Sequence, residues 1–236
     1  MKIKELFETW LQKHIKLSVK IRSYNKYDFI IRKYIIPLLG KKEVTECDKN
    51  VIQEYVCRLL KIKSLKADKV LAHNTIQGII QVLKQGFKFA CELELITKNP
   101  TLKIKLPSST EKEVQALSRE EQKIIENYCF KSHKANYIGI IISLYTGIRL
   151  GELLALTWQN IDFDKKLMFI KKTAYSAKVE GKNIIVIDKP KTKKANRVIP
   201  IPDKLLSILL EYKAKAKCEY VISTRHNTIV EAIQII

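Results

Sequence analysis

Glycine and proline are scarce in this chain, 7 and 6 of its 236 residues. So few backbone breakers leave little room for the turns of a β-sandwich and point to a mainly helical molecule. Cys47, Cys57, Cys91, Cys129 and Cys218 are odd in number and form no C-x-x-C pair. That argues against a disulfide or zinc framework and for small buried hydrophobes in a reducing compartment. His14, His73, His133 and His226 are widely spaced, so neither a metal nor any other cofactor is expected. The signatures G-x-x-x-x-G-K-[ST], G-x-G-x-x-G and H-E-x-x-H are missing too, which removes the commonest nucleotide and zinc-protease readings. Long apolar runs are also lacking. The stretch Tyr137 to Tyr145 is far too short to span a bilayer, and MKIKELFETW carries acids where a signal peptide needs apolar residues. A soluble cytoplasmic protein with no membrane partner is the expectation.

What the chain has in excess is lysine. The net charge is +20, and of 44 basic residues only 7 are arginine. Residues 1–110 hold 22 basic against 10 acidic residues and residues 111–236 hold 22 against 14, so no single basic tail carries the excess. Such a surface attracts phosphate polyanions. An A/T-rich genome would also inflate lysine, without any selection for DNA binding. Apolar residues make up 46%, enough for a packed core.

Helical spacing recurs four times in the first hundred residues. Ile3, Leu6, Phe7, Trp10 and Leu11 form one stripe, and Tyr27, Ile30, Ile31, Tyr34, Ile35 and Leu38 a second that stops at Gly40. A third, from Val51 to Leu60, has Asp48 as its expected N-cap, and a fourth, from Ile76 to Ala90, has Asn74. These stripes should pack on one another as a small bundle. The periodicity fails from Asn99 to Gln115, where Asn-Pro, Leu-Pro and paired serines appear. We place a linker at 107–116, separating a helical unit at 1–106 from a second unit at 117–236.

In the second unit, Ser118 and Glu121 form a capping box. A more apolar helix runs from about Ala135 to Tyr145 and ends at Thr146-Gly147, and another starts near Arg149 and carries Leu150, Leu153, Leu154 and Leu156. The residues 167–175, 183–188 and 197–201 are β-rich, and predict three short antiparallel strands. Helix returns at Lys204 to Lys213, and YVIST reads as a further short strand. The expected class is therefore mainly α with a small antiparallel sheet.

Two segments could carry chemistry. In TGIRLGEL, Arg149 stands where a helix starts, and Glu152, three residues on, can hold its guanidinium while leaving a fork of donors for a phosphate. The plainer reading is an ordinary intrahelical ion pair. In KPKTKK, residues 189–194, a hairpin lysine could enter a DNA groove or serve a leaving oxygen as general acid. Its plainer reading is a solvated charge run at a turn.

Taken together, these segments resemble the phage-integrase family of tyrosine site-specific recombinases. TGIRLGELLALTWQNIDFDKKLMFI is similar to that family's first catalytic arginine region, and KPKTKKANRVIPIP to the hairpin bearing its catalytic lysine. SYNKYDFIIRKYIIPLLGKKEVTECDKNVIQEYV and NTIQGIIQVLKQGFKFACELELITKNPTLKIKLP resemble its helical, SAM-like core-binding domain and the exit into the linker. The resemblance implies catalytic roles for Arg149 and Lys191, support of Arg149 by Glu152, and DNA contacts from Lys189, Lys193, Lys194, Arg197, Lys61, Lys63 and Lys66. It implies double-stranded DNA at recombination sites as partner, other recombinase protomers on that DNA, and cleavage through a 3′-phosphotyrosyl bond without a metal.

The match then fails. No His-x-x-Arg follows YVIST, since His226 has Ile229 three residues later, and no tyrosine comes after Tyr220. Tyr212 and Tyr220 precede the place where the missing motif should stand, so neither is expected as nucleophile. We therefore expect an incomplete catalytic domain, with the apolar face around Ile141, Leu144 and Leu153 left uncovered. Such a chain would bind DNA without completing cleavage. The alternatives are a non-enzymatic regulator occupying recombination sites and an unrelated basic RNA-associated protein.

Overall fold

The computed structural model describes residues 1–63, 70–106, 115–132, 135–189 and 196–223. The chain divides into two compact units, Met1–Glu113 and Val114–Ile236, each with its own apolar core. Of the expected linker, only Gln115 and Ala116 fall within the described residues. The architecture is mainly helical with small antiparallel sheets, as the composition and periodicity require. Among the described residues no helix is long and apolar enough to cross a membrane.

The first unit holds the four expected helical segments, two of them interrupted by a π turn. The first comprises α1 (Ile3–Trp10), a π turn at Leu11–Ile15 and α2 (Lys16–Ser18); the second comprises α3 (Ile21–Ile30), a π turn at Ile31–Ile35 and α4 (Ile36–Leu39). The second π turn runs into Pro37, which has no amide hydrogen to give to the ladder, and Ile36 donates to Ile31, five residues back. Asp48 caps α5 (Lys49–Leu59), accepting from the Val51 amide at 2.8 Å, as expected. The fourth helix, α6 (His73–Glu92), starts one residue ahead of the expected cap. Ala72 is its N-cap and Asn74 lies within its first turn, so that end has no side-chain oxygen on the orphan amides.

The stripes meet in one core. Ile3, Phe7, Ile31, Ile35, Ile52, Leu59, Ile79, Leu83 and Phe87 are fully buried. Phe7 stands edge-on to both Trp10 and Phe87, with centroids 6.0 and 6.4 Å away. Burial is less uniform for the cysteines than expected. Cys47 and Cys129 are buried, Cys91 and Cys218 are partly exposed and Cys57 faces solvent. Burial lifts the Cys47 thiol to about 11, which keeps it inert.

The second unit opens with α7 (Arg119–Ser132), capped as expected: the Ser118 amide donates to Glu121 at 2.8 Å, and the Glu121 amide to Ser118 Oγ at 3.2 Å. Then come α8 (Ala135–Thr146) and the single-turn α9 (Leu150–Leu154), which stops before Leu156. The β-region is richer than the expected three strands. Strands β1 (Ile161–Asp162), β2 (Leu167–Ile170) and β5 (Arg197–Pro200) form one antiparallel sheet in the order β1-β2-β5. Strands β3 (Thr173–Val179) and β4 (Lys182–Asp188) form a separate ribbon turned at Glu180-Gly181. The run 167–175 reads as one strand in sequence, yet the chain leaves one sheet for the other at Lys171-Lys172. Helix α10 (Asp203–Ala214) follows, and the YVIS segment is held by backbone bonds from Val221 to Leu156 and from Trp158 to Glu219.

The expected uncovered apolar face is a correction. Ile141 and Leu153 are 2% and 1% exposed and belong to the core of this unit, together with Ile142, Val221 and Ile222, while Leu144 is partly exposed. The segment after α10 supplies two fully buried side chains to that core.

Two glycines on α6 separate propensity from packing. A Cβ on Gly86 would stand 2.3 Å from the buried Phe7 ring, whereas one on Gly78 meets nothing within 4 Å. Gly78→Ala should stabilise the chain by about 0.5–1 kcal/mol through helix propensity, and Gly86→Ala should destabilise it by about 1–3 kcal/mol through overpacking. Urea unfolding of the two variants checks this; a stabilised Gly86→Ala would show that the Phe7 ring moves aside freely.

Candidate functional site

The end of α8 sets the geometry. Gly147 adopts φ +61°, the left-handed turn anticipated there. Thr146 Oγ1 donates to the Ile142 carbonyl at 2.6 Å, and the Ile148 side chain is buried. The chain thus emerges at Arg149, an extended N-cap residue whose carbonyl begins α9.

Glu152, in the first turn of α9, is buried; its side chain is 6% exposed. A buried carboxylate is stable only when paired and hydrogen-bonded, and this one is held from three directions. The Arg149 amide donates to Oε2 at 3.1 Å, and Arg149 Nη1 to Oε1 at 3.0 Å. Arg197, the first residue of β5, grips it with both terminal nitrogens, Nη1 to Oε1 at 3.0 Å and Nη2 to Oε2 at 2.7 Å. Burial alone would raise the Glu152 carboxyl. The Arg197 hydrogen bonds, the Arg149 amide and the Arg149 guanidinium outweigh it and hold the group at about 2.

Gly151 explains why α9 can sit where it does. A Cβ there would lie 2.6 Å from Thr173 Oγ1 and 2.9 Å from the Ala174 carbonyl, so any side chain would drive α9 away from β3. The result is an asymmetric cluster: the Arg149 side chain is 73% exposed and that of Arg197 29%. Two guanidiniums face one carboxylate, which leaves the trio with one positive charge in excess.

The ion pair anticipated between Arg149 and Glu152 is therefore present, but it is not an isolated pair. Sequence reading assigned Arg197 to the basic hairpin that follows β4; the structure turns its guanidinium onto Glu152. No local spacing signals this, because 45 residues separate the partners. Of the other expected contacts, Lys61, Lys63 and Lys189 are exposed, with Lys63 in a backbone bridge to Val70 and the Lys189 amide donating to its neighbour Asp188. Lys191, Lys193, Lys194 and Lys66 lie outside the described residues. Tyr212 is half-buried and stacks obliquely on Trp158 at 6.3 Å, and Tyr220 bridges to Thr157. Burial holds both phenols above their ordinary value, so neither is primed to ionise.

A second buried carboxylate went unnoticed in the sequence. Glu126 on α7 accepts from Lys204 Nζ at 2.8 Å and from Gln122 at 3.1 Å. Lys204 also lies 5.5 and 5.6 Å from the Phe130 and Tyr145 ring centroids. This pair ties the start of α10 to α7.

The depressed Glu152 carboxyl makes a pH prediction. Its contribution to stability is fully present above the ordinary carboxylate value of 4.5 and is lost as pH falls towards about 2. Glu152→Gln should cost about 2 kcal/mol at neutral pH, and its stability gap to the parent chain should shrink between pH 4.5 and 2. Urea unfolding across that range reads the gap; a gap independent of pH would mean that the carboxylate charge does not matter.

Comparison with known proteins places this geometry. The model described as the N-terminal SAM-like domain of phage integrase matches residues 2–60, and that of the phage integrase family matches residues 109–232. A XerC-like tyrosine recombinase of Caldanaerobacter subterraneus is 31% identical over 228 residues, covering 91% of this chain and 56% of its own length. The ICEBs1 integrase of Bacillus subtilis is 25% identical over 84% of this chain and 51% of its own. The transposase of transposon Tn916 from Enterococcus faecalis is 26% identical, over 73% and 42% respectively. The chain thus spans about half the length of these relatives. Among solved structures, the Tn1549 transposon integrase in complex with transposon right end DNA superposes with a TM-score of 0.82 at 20% identity, over 99% of this chain and 74% of that one. A lambda integrase tetramer bound to a Holliday junction gives 0.71 at 13% identity, over 100% and 63%. Family models match both units in chain order, and the second alone spans more than half of the residues, so this chain belongs to the phage integrase family of tyrosine recombinases.

Proposed function

We propose that this chain binds duplex DNA as part of site-specific recombination, with Arg149 meeting the phosphodiester at which strands are exchanged. The observation that carries the reading is the Arg149–Glu152–Arg197 cluster: an exposed guanidinium held at a helix start by a buried carboxylate, with one positive charge to spare. In this reading Glu152 supports Arg149, Lys191 serves the leaving 5′-oxygen, and Lys189, Lys193, Lys194, Lys61, Lys63 and Lys66 contact the DNA backbone. The relatives that act on mobile elements, and the integrases solved on DNA and as a tetramer, support duplex DNA and further recombinase protomers as partners. The first unit has a mostly apolar groove of about 690 Å³, lined by Cys91, Pro100 and Leu102 among others, and Lys49, Lys84, Lys88, Lys98 and Lys103 also border it, charges that suit a phosphate backbone nearby.

These 236 residues contain no His-x-x-Arg after YVIST and no tyrosine after Tyr220. In this reading they bind DNA and do not complete cleavage by themselves. Fluorescence anisotropy on a labelled duplex tests the first part. Arg149→Ala should weaken binding about 5–10-fold and lower the salt slope by about one. The second part predicts no covalent protein–DNA adduct on a nicked recombination substrate. An adduct formed by this chain alone would sink it, and preference for RNA over duplex in competition would sink the whole reading.

A further inference from the structure

Arg197 has a role that its place beside a lysine-rich hairpin does not suggest. An isolated Arg149–Glu152 pair would be electrically neutral, and a buried carboxylate without another partner would draw both Arg149 terminal nitrogens inward. Neither state suits capture of a phosphate. In the structure Arg197 takes both carboxylate oxygens at 2.7 and 3.0 Å, and Arg149 is tethered through Nη1 alone, with most of its side chain in solvent. We propose that Arg197 is a positioning residue for phosphate capture. It occupies and neutralises Glu152 so that Arg149 is aimed by the carboxylate without being consumed by it, and keeps its charge for a DNA phosphodiester. The inference rests on the DNA-binding reading above and deepens it.

The role depends on shape as well as charge. A planar guanidinium spans both carboxylate oxygens, whereas a lysine ammonium is a single point charge. Arg197 is also tied to the sheet, since its backbone pairs with Ile170 on β2. Its fork therefore approaches Glu152 from a fixed direction, while Arg149, at a helix N-cap, shares Oε1 with it.

A double-mutant cycle on the full chain tests this, combining Arg197→Met with Glu152→Gln and reading both urea stability and duplex affinity. If Arg197 acts through Glu152, Arg197→Met should weaken DNA binding about tenfold in the parent and about twofold or less in the Glu152→Gln background, where no carboxylate remains to recapture Arg149. Arg197→Lys, which keeps the charge and loses the fork, should behave nearly as Arg197→Met. Equal losses in both backgrounds would overturn the proposal in favour of direct contact between Arg197 and DNA, and full rescue by Arg197→Lys would overturn it in favour of a general field effect. If the parent chain binds no duplex, or if Arg149→Ala leaves affinity unchanged, the DNA-binding reading has failed and the phosphate part of this proposal fails with it. The stability arm still decides the clamp in that case: coupling between positions 152 and 197 supports it, and additivity removes it.

Discussion

The second unit is organised around one electrostatic requirement: the carboxylate of Glu152 is out of water and must be matched. A buried charge left unpaired would cost several kcal/mol, so the fold supplies four hydrogen bonds from two arginines that are remote from each other in sequence. Meeting that requirement sets where α9 begins, how Arg149 leaves the surface and where β5 starts. Gly151 permits the arrangement by letting α9 lie against β3. Geometry near Arg149 is therefore a by-product of satisfying its neighbour.

The two buried carboxylates among the described residues of this unit show how side-chain shape is used. Glu126 is matched by a lysine, whose ammonium lies near two aromatic rings. Glu152 is matched by two arginines. In a chain with 44 basic residues and only 7 arginines, the meeting of two guanidiniums on one carboxylate is not explained by composition. Lysine can neutralise a carboxylate, but it cannot span both oxygens in one plane while a second cation holds the same group.

Much of this was legible in the sequence. The helical stripes of the first unit, the Asp48 cap, the Ser118–Glu121 box and the left-handed Gly147 are all local patterns, set by residues within four positions of one another. What escaped reading was non-local. The split of 167–175 between two sheets depends on which strands pair, and the pairing partner of Ile170 is Arg197, 27 residues away. The third member of the cluster was hidden for the same reason: Arg197 stands next to lysines in sequence and next to Glu152 in space. Asn74 misled because α6 begins on a residue with no capping oxygen. The face around Ile141 and Leu153 misled because Val221 and Ile222, from the end of the described chain, pack into the same core.

The π turn ahead of Pro37 has a further consequence. A π turn accommodates one residue more than an α-helical turn, which swings everything downstream by about 100° around the helix axis. Ile30 precedes that slip, Ile31, Tyr34 and Ile35 lie within it and Leu39 follows it, and all five are buried. The slip thus works as a phase adjuster between two halves of one helix. Change of length at this point is absorbed as rotation, and a one-residue gap here in a comparison of related chains would mark a change of helix phase with the core left in place.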